Sequence, residues 1–245
     1  MFVYTATPDL LSGRVILITG ANRGIGAAAA EAFAAHGATV ALLGRATEGL
    51  TEIANALEQQ GYKRPSVHPL DLATAGVDDF AGLSDALAQR YGKLDGLLHN
   101  ASMLGPRCSL EDTPLDAFQQ VVQVNVTALL GLTRPLLPLL RASSDASLVF
   151  TSSSVGRKGR AHWGAYAISK FATEGMMQVF ADEFAGSTIR ANSVNPGGTR
   201  TAMRALAYPE ENPKTRPTPD AIMPVYLYLM GPQSKGVNGQ ALDAQ

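Results

Sequence analysis

One cysteine, Cys108, stands in a chain of 245 residues. It cannot form a disulfide within the chain, and neither a second cysteine nor a suitably spaced histidine joins it, so a disulfide scaffold is excluded and no metal is expected. An excess of charge is missing too: 20 basic and 21 acidic residues give a formal net charge of −1, and no block of like charge forms a tail. That balance argues against a phosphate-backbone partner, so no nucleic acid is expected. No apolar run approaches the roughly 18 residues that a membrane helix requires. The nearest, "VNVTALLGLTRPLLPLL", is interrupted by Arg134, Pro135 and Pro138. "MFVYTATPDLL" has no basic start ahead of a long apolar core. The expectation is a cytoplasmic protein without a membrane partner, working in a reducing compartment.

Apolar residues make up 46% of the chain, enough for one sizeable core in one domain spanning 1–245. Short aliphatic runs recur at "RVILIT", "TVALLG", "SVHPL", "GLLHN", "SLVFTS", "RANSVNP" and "GQALDA", with helical periodicity between them. Runs apolar on both faces imply strands covered on both sides. The expected fold is therefore α/β, a doubly wound, mostly parallel, seven-stranded Rossmann-like sheet with right-handed crossovers. Ligands of such sheets bind at the carboxyl ends of the strands. Those ends carry the glycine- and hydroxyl-rich segments: "TGANRGIG", Gly44 with Arg45, Asp71, "NASMLG", "SSSVGRKGRAHW" and "NPGGTRT". A proline-rich stretch, residues 208–219, reads as an exposed loop near the site.

In "TGANRGIG", Gly20, Gly24 and Gly26 let the backbone turn sharply and approach a ligand that a Cβ would hold off, while the following helix offers unpaired N–H groups to an anion. A tight turn without a ligand is the plainer reading of that stretch alone. Farther on, Tyr166 and Lys170 lie one helical turn apart on one face, and Ser153 ends a strand at the same sheet edge. A neighbouring ammonium would lower the phenol pKa by about 1–3 units and make Tyr166 a proton-transfer group. The serine hydroxyl could bond a carbonyl oxygen.

Taken in order, these motifs resemble those of the compact, NAD(P)-dependent short-chain dehydrogenases/reductases. The resemblance runs from Leu11 to Gln245, and the chain is similar to bacterial members labelled 3-oxoacyl-[acyl-carrier-protein] reductases. It implies Tyr166 as acid/base, Lys170 as the group that tunes it and binds the nicotinamide ribose, Ser153 as carbonyl polariser and Asn125 of "VNVTAL" as anchor of a proton-relay water. For the cofactor it implies the turn Gly20, Asn22, Arg23, Gly24, Ile25 and Gly26. Asp71 and Leu72 are implied near the adenine, Asn100 and Ala101 against the adenosine ribose, and Pro196, Gly197, Thr199 and Thr201 around the nicotinamide and pyrophosphate. Cap or turn duties are the plainer readings of Asp71, Asn100 and the Pro-Gly pair. Residues 11–100 would form mainly the cofactor half and 101–245 the catalytic and substrate half. One departure stands out: Ser102 follows Asn100 and Ala101 where the family usually has glycine.

The second strand ends in Gly44 and Arg45 without the acid that bonds the ribose 2′-hydroxyl of NAD, so NADP is the expected cofactor, with Arg23 and Arg45 near its 2′-phosphate. The expected reaction interconverts a carbonyl and a secondary alcohol by hydride transfer, on a small-molecule substrate such as a 3-oxoacyl thioester or another ketone. Arg107, Arg157, Lys158, Arg160 and Arg204 read either as a site for an anionic substrate or as ordinary solvated surface charge. The rival reading is a catalytically idle NADP(H) sensor. Apolar excess on two long helices points to a homodimer or homotetramer. Trp163 is either packing or a substrate wall, and His36, His68, His99 and His162 read as structural or surface residues unless His162 lines the substrate mouth.

Overall fold

Val15–Thr19 (β1), Gly96–His99 (β4) and Ala146–Thr151 (β5) are buried along their whole lengths. Strands of this kind must be covered on both faces. In the computed structural model, which describes residues 1–245, they form the centre of one seven-stranded sheet. The other strands are Thr39–Gly44 (β2), Ser66–Pro69 (β3), Ile189–Asn195 (β6) and Ala241–Asp243 (β7). All pairs are parallel and the order is β3-β2-β1-β4-β5-β6-β7. The seven apolar runs read from the sequence are these seven strands.

Alternate residues of β1 serve two separate cores. Ile16 and Ile18 pack with Gly24–Ala35 (α1), Thr47–Gln59 (α2) and the apolar helix Met223–Met230 (α8). Val15 and Leu17 face Val77–Tyr91 (α3), Ala128–Arg141 (α5) and Gly164–Glu183 (α6). Two further short helices are Leu115–Val122 (α4) and Ala202–Ala207 (α7). A π-helical turn at Gln123–Thr127 joins α4 to α5, a break that apolar periodicity alone did not indicate. No helix is long and apolar enough to cross a membrane.

The amino ends of the central strands are tied by an ionic cluster that the sequence reading did not foresee. Asp145 pairs with Arg14 at 3.0 Å and with Arg190, whose other nitrogen donates to the carbonyls of Leu229 and Gly231 at 3.1 and 3.0 Å. Asp95 accepts from the N–H of Val15 at 2.8 Å and from the Ser143 hydroxyl at 2.6 Å. A lone charge in this setting costs several kcal/mol, so the members depend on one another. At the opposite edge the chain reverses between β1 and β4, and that is where the crevice of a doubly wound sheet opens.

Candidate active site

Two loops meet at this reversal. Gly20 and Gly24 have φ of +65° and +56°, the left-handed region that favours glycine. A Cβ on Gly20 would stand 2.9 Å from the Cα of Ala101, and one on Gly26 would stand 2.1 Å from the carbonyl oxygen of Gly20. The Thr19 hydroxyl accepts the N–H groups of Asn100 and Ala101 at 3.0 and 2.9 Å, and the Asn100 amide donates to the Thr19 carbonyl at 3.1 Å. Asn100 therefore has the backbone duty of the plainer reading and also places the wall of the crevice. Helix α1 starts at this turn with no side-chain cap and no acid in its first turn. Its leading N–H groups are left for an external acceptor, which is the arrangement a pyrophosphate requires.

Around this turn, Asn22 lies against Gly44 and Gly49, bringing the turn to the end of β2. Arg23 and Arg45 are both exposed. Ile25 packs against the core shared by α1 and α8, and Leu72 is buried. Asp71 accepts from the N–H of Ala73 at 3.0 Å, so its turn duty is present. Thr201 caps α7 by accepting from the N–H of Arg204 at 3.1 Å, and its methyl group approaches Gly24. Buried Thr199 donates to the carbonyl of Pro196 at 2.9 Å, and Gly197 has φ of +68°. The segment after β6 thus meets the glycine turn from the other side.

Asn125 sits inside the π-helical turn and is buried. Its Oδ1 accepts the N–H of Met103 at 2.7 Å, while Nδ2 donates to the Met103 carbonyl and to the Ser169 hydroxyl, both at 2.9 Å. The Ser169 hydroxyl donates to the Tyr166 carbonyl at 2.7 Å. One carboxamide therefore links the loop after β4 to α6. Helix α6 buries Tyr166, Ser169, Lys170, Thr173 and Glu174, a polar stripe at helical spacing on its inward face. Glu174 pairs with Arg157 at 3.4 Å and accepts from the Ser193 hydroxyl at 2.6 Å.

The electrostatics differ from the expectation. Burial pushes the Tyr166 phenol up to about 12, and the nearby hydroxyls of Ser102 and Ser153 pull the other way. The Lys170 ammonium is 5.5 Å from the Tyr166 ring centroid and donates to the Thr151 carbonyl at 2.8 Å. Burial brings Lys170 down to about 8, against the opposing pull of Glu174. Desolvation is the largest influence on both groups.

Trp163 is buried beside Tyr166 and Tyr208, each with ring centroids 5.8 Å away, so it is packing and wall together. Arg107 lies over Trp163 at 4.5 Å and over Tyr208 at 5.0 Å. The expected cationic rim is only partly free. Arg157 is held by Glu174 and Asp243, and Arg204 makes a two-pronged pair with Glu211 at 2.6 and 2.7 Å. Glu211 also ties Arg216, so the loop over residues 208–219 is anchored through one carboxylate. His99 is buried against Thr133 and Phe150, and exposed His162 has φ of +65° just before α6. Sequence reasoning missed Ser169, Thr151 and Glu174, although the polar stripe at positions where α6 must be inward could have revealed Ser169 and Glu174.

Over residues 14–212 the sequence matches the short chain dehydrogenase family. The chain belongs to that family. It is therefore an oxidoreductase, built on the family's Rossmann-like sheet. The oxidoreductase YciK of Escherichia coli K12 is 52% identical over 242 residues, covering 99% of this chain and 96% of that one. A short chain dehydrogenase structure from Pseudomonas syringae is 60% identical with a TM-score of 0.99, covering 100% of both chains. Another, from Escherichia coli CFT073 in complex with NADPH, is 52% identical with a TM-score of 0.96, covering 98% of this chain and 99% of that one.

The displaced Lys170 pKa has a testable consequence for stability. Folding lowers it from 10.5 to about 8, so between these values the unfolded chain binds more protons and stability rises with pH. Compared with Lys170→Met, the wild type should gain about 2 kcal/mol of unfolding free energy between about pH 7.5 and about pH 10. Urea titrations of both proteins at each pH measure this; a constant difference would show that Lys170 is not desolvated.

Proposed function

We propose that this enzyme interconverts a ketone and a secondary alcohol with NADP(H), and that Tyr166 supplies the proton. The observation that carries the reading is a buried phenol faced by the Ser153 hydroxyl, one helical turn from Lys170, at the sheet edge where an uncapped glycine turn opens α1. Bound NADPH would supply hydride to the carbonyl carbon. Tyr166, kept protonated by burial, gives its phenolic proton to the oxygen on which negative charge develops, and Ser153 donates a hydrogen bond to the same oxygen. Lys170 holds positive charge beside the phenol and would bind a ribose hydroxyl of the cofactor, while Asn125 keeps α6 and the loop after β4 in register. The proton-donor set argues against the idle sensor, which needs none.

Val155, Trp163, Tyr166 and Ala207, with Leu104, Met203 and Tyr208 against them, form an apolar and aromatic mouth over the phenol. Arg107, over Trp163 and Tyr208, and Arg160, donating to the Tyr208 hydroxyl, stand at its rim, free of acidic partners. This favours a ketone with an apolar body and an electron-rich or anionic end, a description that a 3-oxoacyl thioester meets. Leu130 on α5 and Ile168, Phe171 and Val179 on α6 remain exposed, which supports a homodimer or homotetramer packed helix against helix.

Preference for NADP(H) rests on Arg23 and Arg45 flanking the end of β2, on the absence of an acid there, and on the NADPH bound to the related Escherichia coli structure.

Three outcomes follow. Tyr166→Phe should lower turnover on a reducible ketone by about 10²-fold or more while leaving the NADPH dissociation constant within about twofold; near-normal turnover would rule out Tyr166 as donor. NADPH should bind about 10²-fold more tightly than NADH, and Arg45→Ala should erase much of that gap. Equal affinities in the wild type, or an undiminished preference in the variant, would contradict the assignment. Light scattering at micromolar concentration should give a multiple of 25.7 kDa, and a monomer would refute the helix-on-helix assembly.

A further inference from the structure

Glu174 is a buried carboxylate to which the proton transfer assigns no part. It lies on the inward face of α6, one turn beyond Lys170. A buried carboxylate is tolerated only when it is paired and hydrogen-bonded. One oxygen of Glu174 accepts from the Ser193 hydroxyl on β6 at 2.6 Å, and the other accepts from Nε of Arg157 at 3.4 Å.

Arg157 carries that pairing to Ser153. The stretch between them, Ser154–Gly156, is one short helical turn, closed by the N–H of Gly156 on the Ser153 carbonyl at 2.9 Å and by the N–H of Arg157 on the Ser154 carbonyl at 3.2 Å. The Ser153 hydroxyl accepts a long bond, 3.4 Å, from the N–H of Val155 in the same turn. The turn rests directly on α6: a Cβ on Gly156 would stand 2.8 Å from both the Cβ and the carbonyl oxygen of Lys170. The other two nitrogens of the Arg157 guanidinium reach β7, donating to Asp243 at 2.9 Å and to the Leu242 carbonyl at 3.0 Å. Asp243 also accepts from the Asn195 amide at 2.8 Å, and Asn195 accepts the N–H of Gly197 at 3.1 Å. One guanidinium thus joins the turn after β5 to α6, to β7 and, through Asp243, to the segment after β6.

We propose that Glu174 and Arg157 are positioning residues for the proton-transfer step, a buried carboxylate and a forked guanidinium that lock the turn bearing Ser153 onto the helix bearing Tyr166 and Lys170. The proposal rests on the reading of Tyr166 as proton donor and of Ser153 as hydrogen-bond donor to the same oxygen. Neither member of the pair gives or takes a proton. What they fix is the separation of two donors that must meet one oxygen from two different elements, where an error of about 1 Å costs about 10²-fold in rate. A planar fork suits the task because it serves α6 and β7 at once, which a single ammonium does not match.

The experiment uses the full chain with NADPH and a set of carbonyl probes: diacetyl, phenanthrenequinone, acetophenone and an acetoacetyl thioester. Turnover is counted per bound NADPH, so that any unfolded fraction drops out. Arg157→Met and Glu174→Met should each lower turnover by about 10- to 10²-fold while the NADPH dissociation constant stays within about threefold of wild type. Removing both charges together leaves no unpaired carboxylate, so the double variant should have a urea midpoint closer to wild type than Arg157→Met does, yet turn over no faster than either single variant. Arg157→Lys keeps a cation beside Glu174 without the fork, and should still lose turnover by about three- to tenfold. Wild-type turnover in the double variant or in Arg157→Lys would show a pair that serves stability only and would overturn the proposal alone. NADPH binding weakened in step with turnover would place the pair in the cofactor site and overturn it as well. A wild type that binds NADPH and reduces none of the probes would overturn the proton-donor reading, and this proposal with it.

Discussion

The Asn125 carboxamide holds together the two parts of the protein that chemistry requires to be in register. A loop after β4 and a helix after β5 have no backbone ladder in common, so their relative position must come from side chains. Asn125 uses its oxygen and nitrogen on the backbone of Met103 and its remaining donor on Ser169. The π-helical turn makes this possible, since the extra residue it accommodates turns one polar side chain inward from an otherwise apolar helix pair. Thr19 does the corresponding work between β1 and β4. These two clamps tie the glycine turn, the wall of the crevice and the helix of the buried phenol to one another.

Burial is the second constraint, and it acts on the site in two directions. It concentrates Tyr166, Lys170 and Glu174 in a low-dielectric environment, which raises the phenol and lowers the ammonium. A phenol held in its protonated form suits reduction, the direction in which it must give a proton. The counterweight is local: hydroxyls at the phenol, Thr151 at the ammonium, and Arg157 with Ser193 at Glu174. At the opposite edge, the cluster around Asp145 ties the strand starts far from the crevice. This division leaves the carboxyl edge free to carry strained turns and desolvated groups.

Much of this was legible in the chain because it follows local rules. Seven aliphatic runs marked seven strands, since strands buried on both faces admit few polar residues. Gly20 and Gly26 were readable as close-approach positions because their contacts lie within a few residues of a strand end and at its neighbour. What escaped was non-local or counter to a simple charge argument. The partners of Arg157 and Arg204 come from distant or loop positions, Glu174, Asp243 and Glu211, so a rim counted from sequence was too cationic. The expected lowering of the Tyr166 pKa assumed that proximity of an ammonium decides it, whereas desolvation is the larger effect in a buried stripe. The π-helical turn leaves no trace in apolar periodicity because residues on either side keep their inward spacing.

Family membership narrows the chemistry to oxidoreduction. The central claim is that hydride and proton are delivered across this crevice to a ketone carbon and oxygen. It is tested most directly with NADPH carrying deuterium at both C4 positions of its nicotinamide ring, offered with a panel of β-ketoacyl thioesters, diketones, quinones and aromatic ketones. Mass spectrometry of the products should find deuterium on the carbinol carbon of a secondary alcohol, formed in step with loss of nicotinamide absorbance. Tight binding of the labelled cofactor with no transfer to any carbonyl in the panel would contradict the account and favour a protein that only senses the dinucleotide.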